Sequence, residues 1–140
     1  MPAPADARQR SLFPERWDEE DAAVLTRLRA IAAHLTEQFR LRPSTVDAED
    51  DGIVAHYGIC TADGRIRIRL RHATTGRLLK ESSLVDTLCH ELAHLRYFDH
   101  SLRFRRFHER ILAEARRRGW YRPGPRRTEP CAASFGRSAP

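Results

Sequence analysis

The sequence lacks the features that would assign it to a membrane or secreted class. It has no apolar run of membrane-spanning length, and residues 1–6 do not show the basic-then-apolar pattern of a signal peptide. Its three cysteines are widely spaced and form no CxxC pair, which argues against a disulfide framework and against a cysteine zinc site. A cytoplasmic protein with reduced thiols is therefore expected.

Lysine is nearly absent, although the chain is basic. Lys80 is the only lysine among 25 basic residues, so arginine supplies almost all of the formal net charge of +6. Such a charge favours contact with polyanions, which makes nucleic acid one candidate partner. A length of 140 residues suffices for one domain with a core and leaves little room for a second. We predict a flexible lead-in over 1–17, one domain over 18–121 and a basic tail without regular structure over 122–140.

The hydrophobic pattern predicts an α+β domain that begins with a helix. Apolar residues recur at helical spacing from Asp18 to Arg40, and a short extended segment follows at Thr45-Val46. Two alternating runs, 52–61 and 65–71, flank an Asp-Gly turn and predict a β-hairpin. The expected architecture is therefore an N-terminal helix, a small antiparallel sheet and two later helices.

An arginine appears at every second position of the second predicted strand. We interpret this row chiefly as a solvent-exposed face that resists edge aggregation, with a phosphate-binding stripe as the alternative. Its members are Arg65, Arg67, Arg69 and Arg71.

The two helices after the hairpin have recognisable boundaries. Ser82 or Ser83 can cap the first, and Asp86 would complete a capping box. We prefer this capping role, or a favourable interaction with the helix dipole, for Asp86 over contact with a neighbouring metal-binding histidine. The second helix is expected to begin after Asp99 or Ser101 and to end at Gly119. The buried stripe of the first helix is predicted to be Leu84, Leu88, Leu92 and Leu95.

The first of these helices carries His90-Glu91-Leu92-Ala93-His94. Side chains four apart share one helix face, so His90 and His94 can direct two imidazole nitrogens at a single metal ion. Glu91 would lie beside that ion, where a carboxylate can take a proton from water whose pKa the metal has lowered to roughly 7. The spacing therefore indicates metal-assisted hydrolysis. Tyr57, Tyr97 or a nearby arginine is a candidate to stabilise the oxyanion.

His100 is the favoured third ligand. A continuous helix would place it about 120° from His94, so the helix must break, with a turn at Phe98-Asp99. Three protein ligands would leave the open fourth position that catalytic zinc requires. The alternative third ligand is a glutamate of the following helix, Glu109 or Glu114. The remaining histidines are expected to be surface or core residues; they are His34, His56, His72 and His108.

The stretch from Cys89 to Phe104 resembles the SprT-like and YgjP-like small zinc metallopeptidases, whose motif is HELxH, a short spacer and His-Ser-x-x-Phe. The resemblance extends over 18–121 and implies a minimal gluzincin fold, a zincin-like metallopeptidase domain that acts on a protein or peptide. It implies Zn2+ as cofactor and Glu91 as general base. Arg105 stands where an aromatic residue is usual in the family. The sequence shows no cysteine-rich zinc ribbon after the motif, and in this respect it is more similar to the YgjP-like branch. The ligands that it implies are His90, His94 and His100.

Two other functions are compatible with parts of the sequence. The histidine spacing also resembles the bacterial ribosomal-RNA maturation endonucleases, but those normally have glycine where Glu91 stands, and their Asp-Val-Leu-Ser-Phe-Pro segment is missing here. A nucleic-acid-binding module braced by zinc is the non-enzymatic alternative, supported by the arginine-rich strand and by the arginine-rich stretch 116–127 with its interleaved Trp120 and Tyr121. We favour the peptidase.

Overall fold

The computed structural model describes residues 15–49 and 56–124. Three helices and three strands follow one another in the order α, β, β, β, α, α, which confirms the predicted α+β class. The predicted lead-in and tail lie largely outside the described residues. None of the described helices is both long enough and apolar enough to cross a membrane. The elements are α1 (Glu15–Phe39), β1 (Thr45–Ala48), β2 (Gly58–Cys60), β3 (Arg65–Ile68), α2 (Glu81–His94) and α3 (Leu102–Arg117).

The sheet contains the predicted hairpin and one strand more. β2 and β3 pair antiparallel, with Gly58 opposite Ile68, which confirms the hairpin within the described residues. β1 adds to the other side of β3 in parallel, with Val46 opposite Ile66, so the sheet is mixed rather than wholly antiparallel. The prediction missed this pairing because parallel partners are distant in sequence and no tight turn joins them.

The core lies between the helices and the inward face of β3. Ile66 and Ile68 are completely buried and pack in one apolar cluster with residues of all three helices. The predicted stripe of α2 is confirmed, because Leu84, Leu88 and Leu92 are buried and Leu95 packs against them. This burial fixes α2 against β2 and β3 and leaves the neighbouring face of α2 available for polar side chains.

The row of arginines begins on β3 and continues past its end, and it is not exposed to solvent along its whole length. Arg69 is only 6% exposed, and its guanidinium lies 4.3 Å from the centre of the Tyr57 ring. Arg71 forms ion pairs with Glu20 at 3.1 Å and Asp21 at 2.9 Å, both on α1. The predicted solvent-exposed face is therefore wrong at these two positions, because the Tyr57 ring covers Arg69 and the acidic start of α1 pairs with Arg71.

The boundaries of the later helices differ in one respect from the prediction. α2 begins at Glu81 after Lys80, with no side-chain cap, so the predicted capping box at Ser82 or Ser83 is wrong. The Glu81 carboxylate instead accepts a hydrogen bond from Arg27 Nε at 2.7 Å, which connects the first turn of α2 to α1. α3 is capped as predicted by Ser101, whose Oγ accepts a hydrogen bond from the Phe104 backbone N–H.

Candidate metal centre

Three histidines converge where α2 ends and the chain turns toward α3. His94 Nε2 lies 3.1 Å from His100 Nε2, which in turn lies 3.4 Å from His90 Nε2. α2 ends at His94 and the chain turns at Leu95-Arg96, with a bend at Asp99, so the helix breaks before His100 as predicted but the turn begins earlier than Phe98. His100 is thereby brought toward the two helical histidines. Neither Glu109 nor Glu114 belongs to this group of mutually close ligand atoms; Glu114 instead pairs with Arg117 and Arg118.

These distances fit a bound metal ion. Tetrahedral zinc with Zn–N bonds of about 2.0–2.1 Å would hold its ligand nitrogens about 3.3 Å apart. Burial is the main factor that lowers the pKa of His90 to about 3, and it also lowers the pKa values of His94 and His100. The three rings are therefore neutral at pH 7, which is the form that binds a metal.

The ring orientation of His94 is set by its neighbours. Its Nδ1–H donates to the backbone carbonyl of Tyr97 at 3.0 Å, which leaves Nε2 unprotonated and free to ligate. The ring of Phe104 stacks on His94 at 4.3 Å and meets His90 and His100 edge-on at 4.9 Å and 5.0 Å. The Phe104 ring thus makes an apolar contact with each of the three histidine rings. The Tyr97 ring itself packs on Phe107.

Glu91 lies beside the histidines and is shielded from solvent. Glu91 is only 4% exposed, and its side chain packs against Gly58 of β2. Burial raises the pKa of Glu91 to about 8, so the carboxyl group is mostly neutral at pH 7 when no cation is near. A bound cation would favour the carboxylate and lower this pKa.

Gly58 is a part of the site that the sequence did not reveal. A Cβ atom at this position would lie 2.6 Å from Thr87 Cγ2 and 3.0 Å from both Cγ and Oε2 of Glu91. A glycine is therefore required by space, since β2 crosses α2 with its backbone directly against the Glu91 side chain. The alternating pattern of the strand contains no signal for such a crossing.

We expect Gly58→Ala to lower any activity that depends on Glu91 by about tenfold or more, which corresponds to about 1.4 kcal/mol in the barrier. The added methyl group must displace β2 or a neighbouring side chain, because its distances to Thr87 and Glu91 would be shorter than van der Waals packing allows. Turnover of the same substrate by the two proteins measures the effect.

Two controls make this expectation specific. Thr87→Ala in the Gly58→Ala background removes the shortest contact and should restore part of the activity. Gly124→Ala should have no effect, because no atom of the described residues lies within 4 Å of a Cβ atom there. Full activity in Gly58→Ala would show that the carboxylate has room to move.

His108 also lies next to the centre, although it is outside the group of mutually close ligand atoms. Its ring meets that of His90 at 5.2 Å, and its Nε2–H donates to Asp86 Oδ1 at 3.1 Å. The helix-capping role preferred for Asp86 is wrong, because Asp86 lies inside α2 and contacts α3. The other histidines lie elsewhere: His34 and His72 are exposed, and His56 pairs with Glu49.

A small α+β domain in which an HExxH helix and the following turn gather three histidines is a protein of the zincin type. The model of the WLM domain matches residues 56–127, just over half of the chain. The chain belongs to the WLM domain family. At a coarse level, this membership supports a SprT-like, zincin-type metallopeptidase that uses a metal ion. Closeness to the YgjP-like branch stays a prediction.

Two solved structures share this fold. The structure described as Wss1 from Saccharomyces cerevisiae has a TM-score of 0.62 at 19% identity, over 72% of this chain and 84% of that chain. A structure of a Wss1 mutant from the same organism has a TM-score of 0.64 at 17% identity, over 74% of this chain and 86% of that chain. At such identities the likeness shows the fold alone. A comparison with curated protein sequences gives no match.

Proposed function

We propose that this protein is a zinc-dependent metallopeptidase that hydrolyses peptide bonds, with His90, His94 and His100 as zinc ligands and Glu91 as general base. One observation carries the proposal: the ligand nitrogens of three imidazoles lie within 4.8 Å of one another, and Glu91, which follows the first of these histidines on α2, has a buried carboxyl group. Structural zinc sites normally use four protein ligands, whereas a set of three leaves a position for a reactant.

The donor set favours zinc over the common hard cations. Magnesium and calcium prefer six or more oxygen ligands, whereas three imidazole nitrogens suit zinc or a similar transition metal. When bound, zinc supplies Lewis acidity, which lowers the pKa of a water molecule to roughly 7 and polarises a carbonyl group.

Glu91 performs the proton transfers in this mechanism. Its carboxylate takes a proton from the attacking water, holds it on an Oε atom and passes it to the nitrogen of the leaving amine. The buried position suits the second step, because burial raises the pKa of Glu91 and so stabilises the protonated intermediate form of the side chain. Contact with Gly58 restricts where the carboxylate can move between the two steps.

The edge of the sheet supports a peptide as substrate. Within the described part of the chain, β2 is an outer strand of the sheet, so one row of its backbone N–H and C=O groups does not pair with β3. An extended peptide can add to such an edge through main-chain hydrogen bonds, which recognise the backbone rather than a particular side chain. Because β2 passes Glu91 at Gly58, a peptide added there would run close to the general base.

Metal removal combined with an unbiased substrate screen tests the proposal. We expect about one zinc ion per purified chain, cleavage of some members of a mixed peptide library, loss of cleavage after chelation, and recovery when one equivalent of zinc is restored. RNA is included as a competing substrate. A zinc-loaded chain that cut RNA but no peptide would support the endonuclease alternative and contradict the peptidase.

A further inference from the structure

We propose that Asp86 and His108 form a positioning pair that holds the ring of His90 in the orientation needed for metal binding. This inference deepens the proposed function and rests on its assignment of His90 as a ligand. It does not depend on whether the loaded protein cleaves peptides.

The two ligands on α2 are held in different ways. The ring of His94 is fixed by the hydrogen bond from its Nδ1–H to the carbonyl of Tyr97. Within the described parts of the chain, His90 Nδ1 makes no hydrogen bond of this kind. Metal-binding histidines usually donate their second ring nitrogen to an oxygen, which fixes the ring and its tautomer. His90 therefore needs another means of orientation.

Ring contacts supply that orientation. Phe104 meets His90 edge-on at 4.9 Å, but it contacts the other two ligands as well and so is not specific to His90. His108 meets the His90 ring at 5.2 Å with the planes 81° apart. His90 is thus enclosed between two aromatic rings that oppose its rotation.

Asp86 determines the position of His108. The hydrogen bond of 3.1 Å from His108 Nε2–H to Asp86 Oδ1 joins α3 to α2 one turn before His90. The two side chains are only 20% and 33% exposed, so water competes with this bond less than at an open surface. His108 is not a fourth ligand here, because it lies outside the group of mutually close ligand atoms.

The expected result is a weaker metal site. Loss of an outer contact that orients a ligand typically costs 10–100-fold in metal affinity, and we expect about tenfold for His108→Ala. Asp86→Ala should weaken zinc binding in the same direction, because it leaves the His108 ring free to rotate. Asp86→Asn keeps an oxygen that can accept the bond and should restore most of the affinity.

Zinc affinity is measured for the folded proteins by competition with a chromophoric chelator. The visible spectrum of the cobalt-substituted protein should also change in His108→Ala, since the geometry of the ligands alters. His34→Ala is the matched control: it removes an exposed histidine that also touches an aromatic ring, that of Trp120. Thermal unfolding of each metal-free protein separates site geometry from general stability.

Three results would overturn the inference: zinc affinity in His108→Ala within twofold of the parent, an equal loss in His34→Ala, or no recovery in Asp86→Asn relative to Asp86→Ala. The Asp86 variants keep the test decisive if His108→Ala does not fold. None of these measurements involves a peptide. Failure of the positioning pair would therefore leave the peptidase proposal intact, and a peptidase that proved inactive would leave the affinity result valid.

Discussion

Replacing Glu91 with glutamine is expected to lower the rate of peptide hydrolysis by about 10²- to 10⁴-fold while the protein still binds its metal. Glutamine has nearly the shape of glutamate, so contacts with Gly58 and with the core should persist. It has no carboxylate, however, and so cannot accept a proton from water or return one to the leaving amine. The loss should appear in kcat, because the proton transfers belong to the chemical step.

Metal content and rate must both be measured for this variant. Glu109→Gln is a suitable control, since it makes the same change on the exposed surface of α3. If Glu91→Gln retained zinc and cleaved as fast as the parent, the general-base assignment would be wrong. Loss of zinc along with activity would instead indicate that Glu91 supports the site rather than the chemistry.

The same substitution should not weaken the metal-free fold. The pKa of Glu91 is about 8 in the folded protein, against an ordinary value of 4.5. Burial of the charged carboxylate therefore lowers the free energy of unfolding progressively as pH rises from about 5 to above 8. Glutamine carries no charge and has no such penalty. The metal-free variant should therefore be at least as stable as the parent, with a larger advantage at pH 9 than at pH 5.

Replacing His100 with alanine is expected to reduce zinc affinity by more than the roughly 100-fold that the loss of an outer-sphere contact produces. His100 Nε2 lies within 3.4 Å of the corresponding atoms of both His90 and His94, so its removal opens one corner of the site. Two imidazoles on one helix would then hold the ion alone. Zinc per chain after dialysis against a zinc buffer, followed by peptide turnover, measures both consequences.

Glu109→Ala and Glu114→Ala test the alternative third ligand. Both should retain zinc, because Glu109 is exposed and the carboxylate of Glu114 is engaged by Arg117 and Arg118. Hydrogen bonds from those arginines lower the pKa of Glu114 to about 2, as expected for a carboxylate in an ion pair. If His100→Ala kept its zinc and either glutamate variant lost it, that glutamate of α3 would be the third ligand in place of His100.

Most features that depend on neighbours in sequence were predicted well, the cap of α2 being the exception. The apolar period of α2, a helix break before His100 and the cap at Ser101 all follow from helical phase and from backbone chemistry within a few residues. The parallel pairing of β1 with β3 was missed, since it joins segments about 20 positions apart with no turn signal between them. The exposure of Arg69 was misjudged because the ring of Tyr57, the residue just before β2, covers its guanidinium, and the alternation of a strand does not show which side chains fold over their neighbours.

The sequence by itself determined the helix that carries His90, Glu91 and His94 and the requirement that the chain turn before His100, because both follow from the regular geometry of one helix. Only the tertiary structure decided that Gly58 must lack a side chain and that Asp86 and His108 meet beside His90. These contacts join β2 to α2 and α3 to α2. They arise from how the elements pack around a shared core, and the local pattern of no single segment contains that packing.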